Sequence, residues 1–403
     1  MKRMLTKIYF TIAVMLSGWA SIADTPALSA SDLAIIDTLV ASYEKSGSSE
    51  DILFWTPEQR RVGFKEMDNI YPTRMVPAGD KTYQLTSSPT DFSDITYTVN
   101  GTTKRVADFL DKPESIGLIV VHKDKILSEY YADGNNKESR WISFSVSKSI
   151  TSLLIGAAIQ DGYIESVDEP VVNYLPRLRG TAYEHATIKN VLNMASGVEW
   201  NENYSDPESD VAQAGGLNGL PLIQYLAKLP VGSEPGEVFN YSTGETNLAG
   251  GILRAAIGNN ASTYLTHKIW QPFGMEFDAS WVLDGYGGAE LGGCCLNASL
   301  RDYARLGIFA MHNGQLADGT QVIPENWMKE STTPSKGLAR YGYFWWLNGD
   351  GSYAARGIFG QTIMIDPEKE LVIAMHNSSA SVADQSFGQE MNAVVMAIAA
   401  AIK

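Results

Sequence analysis

The sequence predicts a mixed α/β (α+β) fold, in which an antiparallel sheet built by both ends of the chain is flanked by helices and carries an inserted, mostly helical subdomain. Strand-like runs occur in two distant regions, residues 117–131 and 341–376. The stretch between them has helical periodicity interrupted by Pro, Gly and loops, and no repeat or low-complexity linker divides the chain. We therefore expect a sheet domain from residues 24–165 plus 300–403 and a helical subdomain from residues 166–299.

A β-hairpin between two helices is predicted for the N-terminal contribution to the sheet. Residues 117–122 and 126–131 are apolar and β-branched runs joined by Lys123-Asp124-Lys125, which is typical of antiparallel strands around a tight turn. A helical segment is predicted before them at residues 31–45. A second helix is predicted at residues 145–160, since the Asp-Gly that follows it provides a glycine suited to a left-handed cap.

The inserted region and the C-terminal part of the chain differ in pattern. Helical periodicity in the inserted region is clearest at residues 186–194, 219–229 and 262–270. Strands are predicted at residues 341–347, 353–358, 361–365 and 371–376, and a last helix at residues 384–402. Adjacent residues of a strand face opposite sides, so we expect one of Trp345 and Trp346 in the core and the other at a cleft.

The first residues, 1–23, have the pattern of a secretory signal peptide. Three basic residues among the first seven precede an apolar run at residues 8–16, and residues 21–23 form a small-x-small cleavage site. We expect a mature chain that begins near Asp24 and is exported, most simply to a bacterial periplasm. No later stretch has the roughly 20 apolar residues that a span requires, so no stable membrane anchor is expected.

The charge balance excludes two classes of partner. The chain of 403 residues has 46 acidic and 31 basic residues, a formal net charge of −15, and removal of the signal peptide makes it more negative. Such a surface repels nucleic acid and anionic membranes. The chain is long enough to bury a large core, and we expect a monomer or homodimer that acts on a small molecule.

Cysteines and histidines predict neither a disulfide framework nor a metal site. Cys294 and Cys295 are adjacent and cannot link distant segments. We interpret them as small buried apolar residues, with a vicinal disulfide as the alternative. The five histidines are scattered singly and have no metal-ligand spacing. No metal and no cofactor is therefore expected.

Ser145 and Lys148 are the candidate nucleophile and its base. Residues three apart in a helix have Cβ atoms about 5–6 Å from each other, so the Lys148 amine can reach the Ser145 hydroxyl. The apolar run at residues 150–159 predicts a helix buried nearly all round, and a buried lysine that loses its charge can accept the serine proton. Ser42 and Lys45 have the same spacing, so spacing alone does not distinguish a nucleophile from an ordinary helix N-terminal serine.

Tyr241 is the candidate proton relay. It lies in a turn at residues 235–243, between small hydroxyl residues that follow it and a Pro-Gly pair that precedes it. A lysine ammonium nearby would stabilise the phenolate, so we expect the pKa of Tyr241 to be lowered toward a range useful for general acid–base catalysis. By itself, one tyrosine among 19 is expected to serve packing, and only its combination with Ser145 and Lys148 favours catalysis.

Taken in chain order, the Ser145–Lys148 pair and the turn that contains Tyr241 resemble motifs of the serine β-lactamase and penicillin-recognising superfamily. The motifs of that superfamily are SxxK, a Tyr-x-Asn-like element and a Lys-Thr-Gly-like element. The resemblance covers residues 117–376. It includes non-catalytic stretches at residues 161–168, 174–176, 187–197 and 301–307. It implies a β-lactamase/D,D-peptidase-like fold and an acyl-enzyme formed on Ser145.

The sequence departs from these motifs at two places, and in both it resembles the esterase and 6-aminohexanoate-dimer (nylon oligomer) hydrolase-like branch. This branch includes family VIII-like esterases. Thr243 stands where β-lactamases and many peptidases have asparagine, which removes an amide that would hold substrate and the lysine network. Residues 355–361 read Ala-Arg-Gly-Ile-Phe-Gly-Gln, so only Gly357 of the usual Lys-Thr-Gly remains.

The resemblance also implies the rest of the site. The backbone N–H groups of Ser145 and Ile358 would form the oxyanion hole, and the preceding glycine would let a substrate carbonyl approach the strand. Tyr204 matches a substrate-contacting tyrosine, in an acidic loop at residues 199–210 that would favour a cationic amine; a solvated loop is the alternative. Arg356 would bind a substrate carboxylate or is a surface residue. The expected substrate-binding residues are Tyr204, Thr243, Arg356 and Gly357.

Together these residues predict a secreted serine hydrolase that cleaves a small amide or ester through an acyl-enzyme on Ser145. Which of Lys148 and Tyr241 takes the serine proton stays open, because their titrations are coupled. A β-lactamase or D-alanyl-D-alanine carboxypeptidase is the alternative among hydrolases. A non-catalytic ligand-binding sensor on the same fold is the alternative from another class, and the joint presence of the three residues argues against it.

Overall fold

A computed structural model describes residues 28–47 and 50–402. The expected signal peptide, residues 1–23, lies outside these residues. The strands are β1 (Thr73–Val76), β2 (Thr86–Ser87), β3 (Thr96–Val99), β4 (Thr102–Arg105), β5 (Ser115–His122), β6 (Lys125–Tyr131), β7 (Arg140–Ile142), β8 (Ala279–Val282), β9 (Leu296–Ser299), β10 (Trp346–Leu347), β11 (Tyr353–Arg356), β12 (Thr362–Asp366) and β13 (Leu371–Asn377). The α-helices are α1 (Ala30–Ser46), α2 (Pro57–Gly63), α3 (Met67–Ile70), α4 (Val106–Leu110), α5 (Val146–Gln160), α6 (Ile188–Leu192), α7 (Asp210–Ala214), α8 (Gly219–Leu226), α9 (Thr243–Ile257), α10 (Ala261–Leu265), α11 (Gln271–Phe273), α12 (Leu300–Met311), α13 (Trp327–Ser331) and α14 (Gln385–Ala401).

The main sheet joins strands from both ends of the chain, as the sequence predicts. Its strand order is β10-β11-β12-β13-β5-β6-β2. The pairs are antiparallel except for the short contact of β2 with β6, which is parallel. The C-terminal strand β13 lies beside β5 of the N-terminal hairpin, with Leu371 opposite His122.

Helices cover both faces of this sheet because its central strands are apolar on both sides. Along β5, Ile119 and Val121 belong to one buried core, while Leu118 and Val120 belong to another. Successive side chains of a strand alternate between faces, so each core lies on its own side of the sheet. Helix α12 packs on the first face, and α14 belongs to the core on the second.

A second sheet, with strand order β1-β8-β9-β7, was missed by the sequence analysis. Its strands β8 and β9 belong to the region predicted as mainly helical, yet they pair with β1 and β7 from the N-terminal part. All four residues of β8 and of β9 are buried, so neither strand shows the alternation that identifies a half-buried strand. The domain boundaries at residues 165 and 299 stay a prediction.

Two predicted elements are shorter than expected, for local backbone reasons. The strand predicted at 341–347 is reduced to Trp346–Leu347, because Phe344 has a φ of +62° and its N–H donates to the carbonyl of Leu192. The helix predicted at 262–270 is divided into α10 and a π-helical turn, Thr266–Trp270. The other predicted helices and strands are present with small shifts of their ends.

The N-terminal segment packs against the part of the fold that carries Ser145. A buried aromatic cluster joins Trp55 and Phe64 of this segment to Trp141, Phe144 and Phe359. The ring centroids of Phe64 and Phe144 are 5.1 Å apart, and those of Phe144 and Phe359 are 5.0 Å apart. Within the described residues, no helix has both the length and the apolar character needed to cross a bilayer.

Candidate active site

Ser145 stands at a tight turn between strand β7 and helix α5. Phe144, directly before it, has a φ of +43°, a left-handed conformation that costs about 1–3 kcal/mol for a residue other than glycine. Packing of the Phe144 ring against Phe64 and Phe359 holds this turn. Ser145 is the N-cap residue of α5 but makes no side-chain capping bond, so its hydroxyl is not used to start the helix. Its side chain lies at the edge of a cleft, 8% exposed.

Helix α5 is buried and tied to the segment that follows Gly293. The Ser147 hydroxyl accepts hydrogen bonds of 3.0 Å from the N–H groups of Cys295 and Leu296, and it lies 2.7 Å from the Ser143 hydroxyl. Residues 146–158 of the helix are all buried. The predicted burial of this helix is confirmed, and so is its end, where Gly162 has a φ of +77°.

Lys148 is fully enclosed one turn into α5. It is 1% exposed, and its Nζ donates 3.0 Å hydrogen bonds to Thr243 Oγ1 and to the Gly293 carbonyl. Burial lowers the pKa of Lys148 to about 8, although the nearby Glu202 carboxylate acts in the opposite direction. A Cβ at position 293 would lie 3.0 Å from the amine, so a glycine there leaves room for it.

Tyr241 lies over the lysine, and its hydroxyl is close enough to Ser145 for the serine to influence its pKa. Lys148 Nζ is 5.3 Å from the centroid of the Tyr241 ring. Burial raises the pKa of Tyr241 well above its usual value of 10, the Glu202 charge raises it further, and only the neighbouring Ser145 acts to lower it. The expectation of a lowered tyrosine pKa is therefore wrong, because burial and the Glu202 charge outweigh any stabilisation of the phenolate by the lysine.

Glu202 extends the site beyond the residues found from the sequence, and it is joined to Lys148 through Thr243, one of the predicted substrate-binding residues. Thr243 Oγ1 accepts from Lys148 and donates to Glu202 Oε1, while the Thr243 N–H donates to Glu202 Oε2 at 2.9 Å. The Glu202 carboxylate also accepts from the Tyr204 hydroxyl at 2.7 Å and from Trp200 Nε1. It lies at the N-terminus of α9, where negative charge is favoured. The only sequence signal for Glu202 was its place in the acidic loop.

The two proposed oxyanion-hole donors border the same pocket as the Ser145 side chain. Within residues 28–47 and 50–402, neither the N–H of Ser145 nor that of Ile358 donates to a backbone carbonyl. A Cβ at Gly357 would lie 2.7 Å from the Ser143 carbonyl oxygen and 2.5 Å from Gln361 Oε1. Glycine is thus required there by the protein's own backbone, which brings the end of β11 close to the turn before Ser145.

Two cavities adjoin at Tyr204 and Ile358, which line both of them. The inner pocket contains Ser145, Thr243 and Ile358 and extends toward the N-terminal segment. The outer cleft is lined by Tyr204, Tyr241, Trp346, Arg356, Gly357 and Ile358. All four predicted substrate-binding residues therefore line one cavity or the other. Trp346 faces the cleft and Trp345 is buried, which confirms the expected division of that pair.

Arg356 is held at the outer cleft by neutral partners. Its Nη2 donates to Asn348 Oδ1 at 3.1 Å and to Asn392 Oδ1 at 3.2 Å. Burial lowers its pKa, and the nearby Arg340 does so further. Its guanidinium contributes positive charge to this cavity.

The competing serine and the cysteine pair are also placed by the structure. The Ser42 hydroxyl donates to Asp51 at 2.9 Å, and both Ser42 and Lys45 are exposed on the surface.

Cys294 and Cys295 are joined in a disulfide, which was the alternative to their interpretation as small buried apolar residues. Cys295 has a φ of +97°, which turns the chain so that adjacent side chains can meet. Both cysteines line the inner pocket.

A sheet from both chain ends flanked by helices, with a serine at a helix start and a buried lysine one turn on, is the arrangement of the serine hydrolases with a β-lactamase fold. The Beta-lactamase family model matches residues 103–388, and the chain belongs to this family. The chain is 29% identical over 286 residues to the 6-aminohexanoate-dimer hydrolase of Paenarthrobacter ureafaciens, covering 64% of this chain and 71% of that protein. The resemblance stated from the motifs is confirmed.

Solved structures confirm the fold class. A candidate 6-aminohexanoate-dimer hydrolase from Bacillus anthracis superposes with a TM-score of 0.74 at 23% identity, over 85% of this chain and 94% of that chain. A family VIII carboxylesterase gives 0.56 at 15% identity, over 72% and 95%. A class C β-lactamase variant gives 0.56 at 16% identity, over 73% and 95%. At these identities the likeness establishes the fold.

Proposed function

We propose that this protein is an exported serine hydrolase that cleaves a small amide or ester through an acyl-enzyme on Ser145. The observation that carries the proposal is that the Tyr241 hydroxyl lies close enough to Ser145 for the serine to influence its pKa, at a site where the buried Lys148 amine lies 5.3 Å from the centroid of the same ring. The names of a relative, 6-aminohexanoate-dimer hydrolase, and of a structural neighbour, carboxylesterase, support an amide or ester substrate. Export is supported by the basic and apolar pattern of residues 1–23.

Lys148 is the proposed final acceptor of the serine proton. Its pKa of about 8 makes the neutral amine accessible near neutral pH, whereas Tyr241 stays protonated because its pKa is raised. As Ser145 Oγ attacks the substrate carbonyl carbon, its proton passes to the Tyr241 oxygen and the phenol proton passes to Lys148. The N–H groups of Ser145 and Ile358 stabilise the oxyanion.

The same relay run in reverse completes the reaction. The bond between the carbonyl carbon and the leaving group breaks, and the leaving amine or alcohol takes its proton from Tyr241, which is reprotonated by Lys148. A water molecule then attacks the acyl-Ser145 carbonyl and gives its proton to the relay. The carboxylic acid leaves, and Ser145 recovers its proton.

Turnover of a substrate panel tests the proposed function. On one preparation, p-nitrophenyl esters, linear amides and the cephalosporin nitrocefin are compared by kcat/KM, and a fluorophosphonate probe is followed by intact mass. We expect labelling of Ser145 and ester or amide turnover at least about 100-fold above nitrocefin, since Thr243 and Ala355-Arg356 replace the asparagine and Lys-Thr of β-lactamases. Nitrocefin turnover at comparable rates would favour a β-lactamase, and absence of labelling and turnover would favour a binding protein.

The pH dependence of activity is expected to report the titration of Lys148. Because the neutral amine is required, kcat/KM should rise with pH to a plateau, with a midpoint near the lysine pKa of about 8. Glu202 raises that pKa, so Glu202→Gln should move the midpoint to lower pH by about one pH unit. Initial rates from pH 5 to 10 measure the shift.

The matched control is Glu199→Gln, in the same loop. Glu199 is exposed and is not among the charges that act on Lys148, so this variant should keep the wild-type midpoint. A simple loss of structure in Glu202→Gln would lower the plateau without moving the midpoint. An unchanged midpoint in Glu202→Gln would contradict the assignment of the rise of kcat/KM with pH to the titration of Lys148.

A further inference from the structure

The inner pocket is a narrow apolar slot with a cavity volume of about 60 Å³, within a concavity of about 570 Å³ that includes open solvent. No charged residue is among the described residues that line it. The hydroxyls along it, other than that of Ser145, are already hydrogen-bonded within the protein. Tyr71 donates to Asp51 at 2.7 Å, Tyr204 donates to Glu202 at 2.7 Å, and Thr243 also donates to Glu202. A group that enters this slot beyond Ser145 meets hydrocarbon, aromatic and disulfide surfaces.

The position of Tyr241 shows which part of a substrate would enter the slot. Tyr241, which protonates the leaving group in the proposed reaction, lines the outer cleft and is absent from the lining of the inner pocket. The leaving group must lie within reach of that hydroxyl, on the side of Trp346 and Arg356. The acyl group, on the other side of the reacting carbonyl, is then directed into the inner pocket.

We infer that the inner pocket binds the acyl part of the substrate and selects an uncharged aliphatic chain, an inference that rests on the proposed acyl-enzyme function. In the step concerned, Ser145 Oγ bonds to the carbonyl carbon of a fatty acyl ester, the alcohol leaves with a proton, and the chain stays in the slot. Water later releases the fatty acid and restores the serine.

The far wall of the slot comes from the N-terminal segment. Ile52, Leu53, Met67 and Tyr71 line it, and all precede residue 103, where the family match begins. The wall is held in place by the stacking of Tyr71 on Trp55, whose ring centroids are 6.0 Å apart, and by the Tyr71 hydrogen bond to Asp51. Acyl selection is therefore a property of this chain's own N-terminal segment as well as of the family fold.

The acidic loop does not provide a charged partner in the slot. Its Glu202 carboxylate accepts from Trp200, Tyr204 and Thr243. Asp210 accepts from the Tyr225 hydroxyl at 2.6 Å and from the Asn201 N–H at 2.7 Å. An ammonium at the end of the acyl chain would lose hydration without gaining a carboxylate on the lining, which is costly. The sequence predicts that this loop favours a cationic amine on the substrate, and our inference places no such amine at the end of the acyl chain.

A chain-length series of p-nitrophenyl esters, from acetate to dodecanoate, tests the slot. We expect kcat/KM to rise about three- to fourfold per added methylene until the slot is filled, and then to fall. A matched pair of esters tests the effect of a charge at the end of the acyl chain without a change of shape. One is p-nitrophenyl 7,7-dimethyloctanoate, whose chain ends in a neutral tert-butyl group. The other is p-nitrophenyl 6-(trimethylammonio)hexanoate, whose chain ends in the isosteric trimethylammonium cation. We expect the neutral ester to be at least about tenfold better.

Paired tryptophan substitutions locate the effect on the N-terminal wall. Leu53→Trp should lower the ratio of octanoate to acetate kcat/KM at least about tenfold by narrowing the slot. Phe54→Trp is the control, because Phe54 is the next residue, is 56% exposed and does not line the slot. It should leave the ratio unchanged.

The outcomes separate this inference from the proposed function. A flat chain-length profile, or a preference for the cationic ester, in a preparation that hydrolyses the acetate ester through Ser145 would overturn the acyl assignment alone. The wild-type series decides this even if Leu53→Trp does not fold. Absence of Ser145-dependent hydrolysis of every ester would overturn the proposed function, and the acyl assignment with it.

Discussion

Replacement of Ser145 by alanine is expected to lower kcat/KM for the best ester at least about 10⁴-fold and to abolish fluorophosphonate labelling. The serine oxygen forms the covalent bond of the proposed reaction, and nothing else at the site can supply it, so the residual rate comes from the oxyanion hole and binding alone. The free energy of unfolding should change by less than about 1 kcal/mol, since Ser145 makes no capping bond to helix α5. Steady-state kinetics and urea denaturation measure the two effects.

Ser42→Ala is the matched control for this variant. Ser42 precedes Lys45 by the same three positions, but it is exposed and bonded to Asp51. Activity within about twofold of wild type is expected for it. More than about one per cent of wild-type activity in Ser145→Ala would mean that another residue carries the reaction.

Lys148→Met is expected to lower kcat/KM about 10³-fold or more and to remove the rise of activity near pH 8. Methionine fills most of the space of the lysine stem but cannot accept a proton, and general base catalysis typically contributes about 10²- to 10⁴-fold. The Gly293 carbonyl loses its 3.0 Å partner, at a cost of about 1–3 kcal/mol in unfolding free energy. Acylation and deacylation rates, followed separately by stopped-flow, should both fall because the same relay serves both steps.

Lys45→Met provides the control on the surface pair and should leave the rate and its pH dependence unchanged. The comparison also decides between the two candidate bases. If Lys148→Met keeps more than about a tenth of wild-type activity, Tyr241 rather than Lys148 is the acceptor of the serine proton. Tyr241→Phe, which keeps the ring and removes the hydroxyl, would then be the more damaging change.

Elements with a local cause could be predicted from the sequence. The spacing of Ser145 and Lys148 is a property of one helical turn, and the burial of that helix follows from the apolar run behind it. The hairpin of β5 and β6 and the strands β12 and β13 have apolar, β-branched runs bounded by turn residues. Strands β8 and β9 were not predicted, because all their residues are buried and they lack the alternation of apolar and polar residues that marks a half-buried strand.

The properties of the site that depend on contacts between distant segments could not be predicted. Thr243 was identified by its departure from a motif, but its link between Lys148 and Glu202 joins three segments of the chain. The pKa of Tyr241 was assigned the wrong direction because burial and the Glu202 charge were not visible in the sequence. The apolar slot could not be predicted either, because Leu53 and Met67, which line it, are far in sequence from Ser145.

The sequence by itself thus determined the fold class and the family resemblance, and it singled out the candidate serine, lysine and tyrosine. These follow from patterns of neighbouring residues, which helix and strand geometry convert directly into structure. The tertiary structure alone decided which groups face Ser145 and which charges they carry. Ionisation depends on burial and on charges a few ångströms away, and a pocket depends on which surfaces meet, so both are set by packing between segments that the order of residues does not reveal.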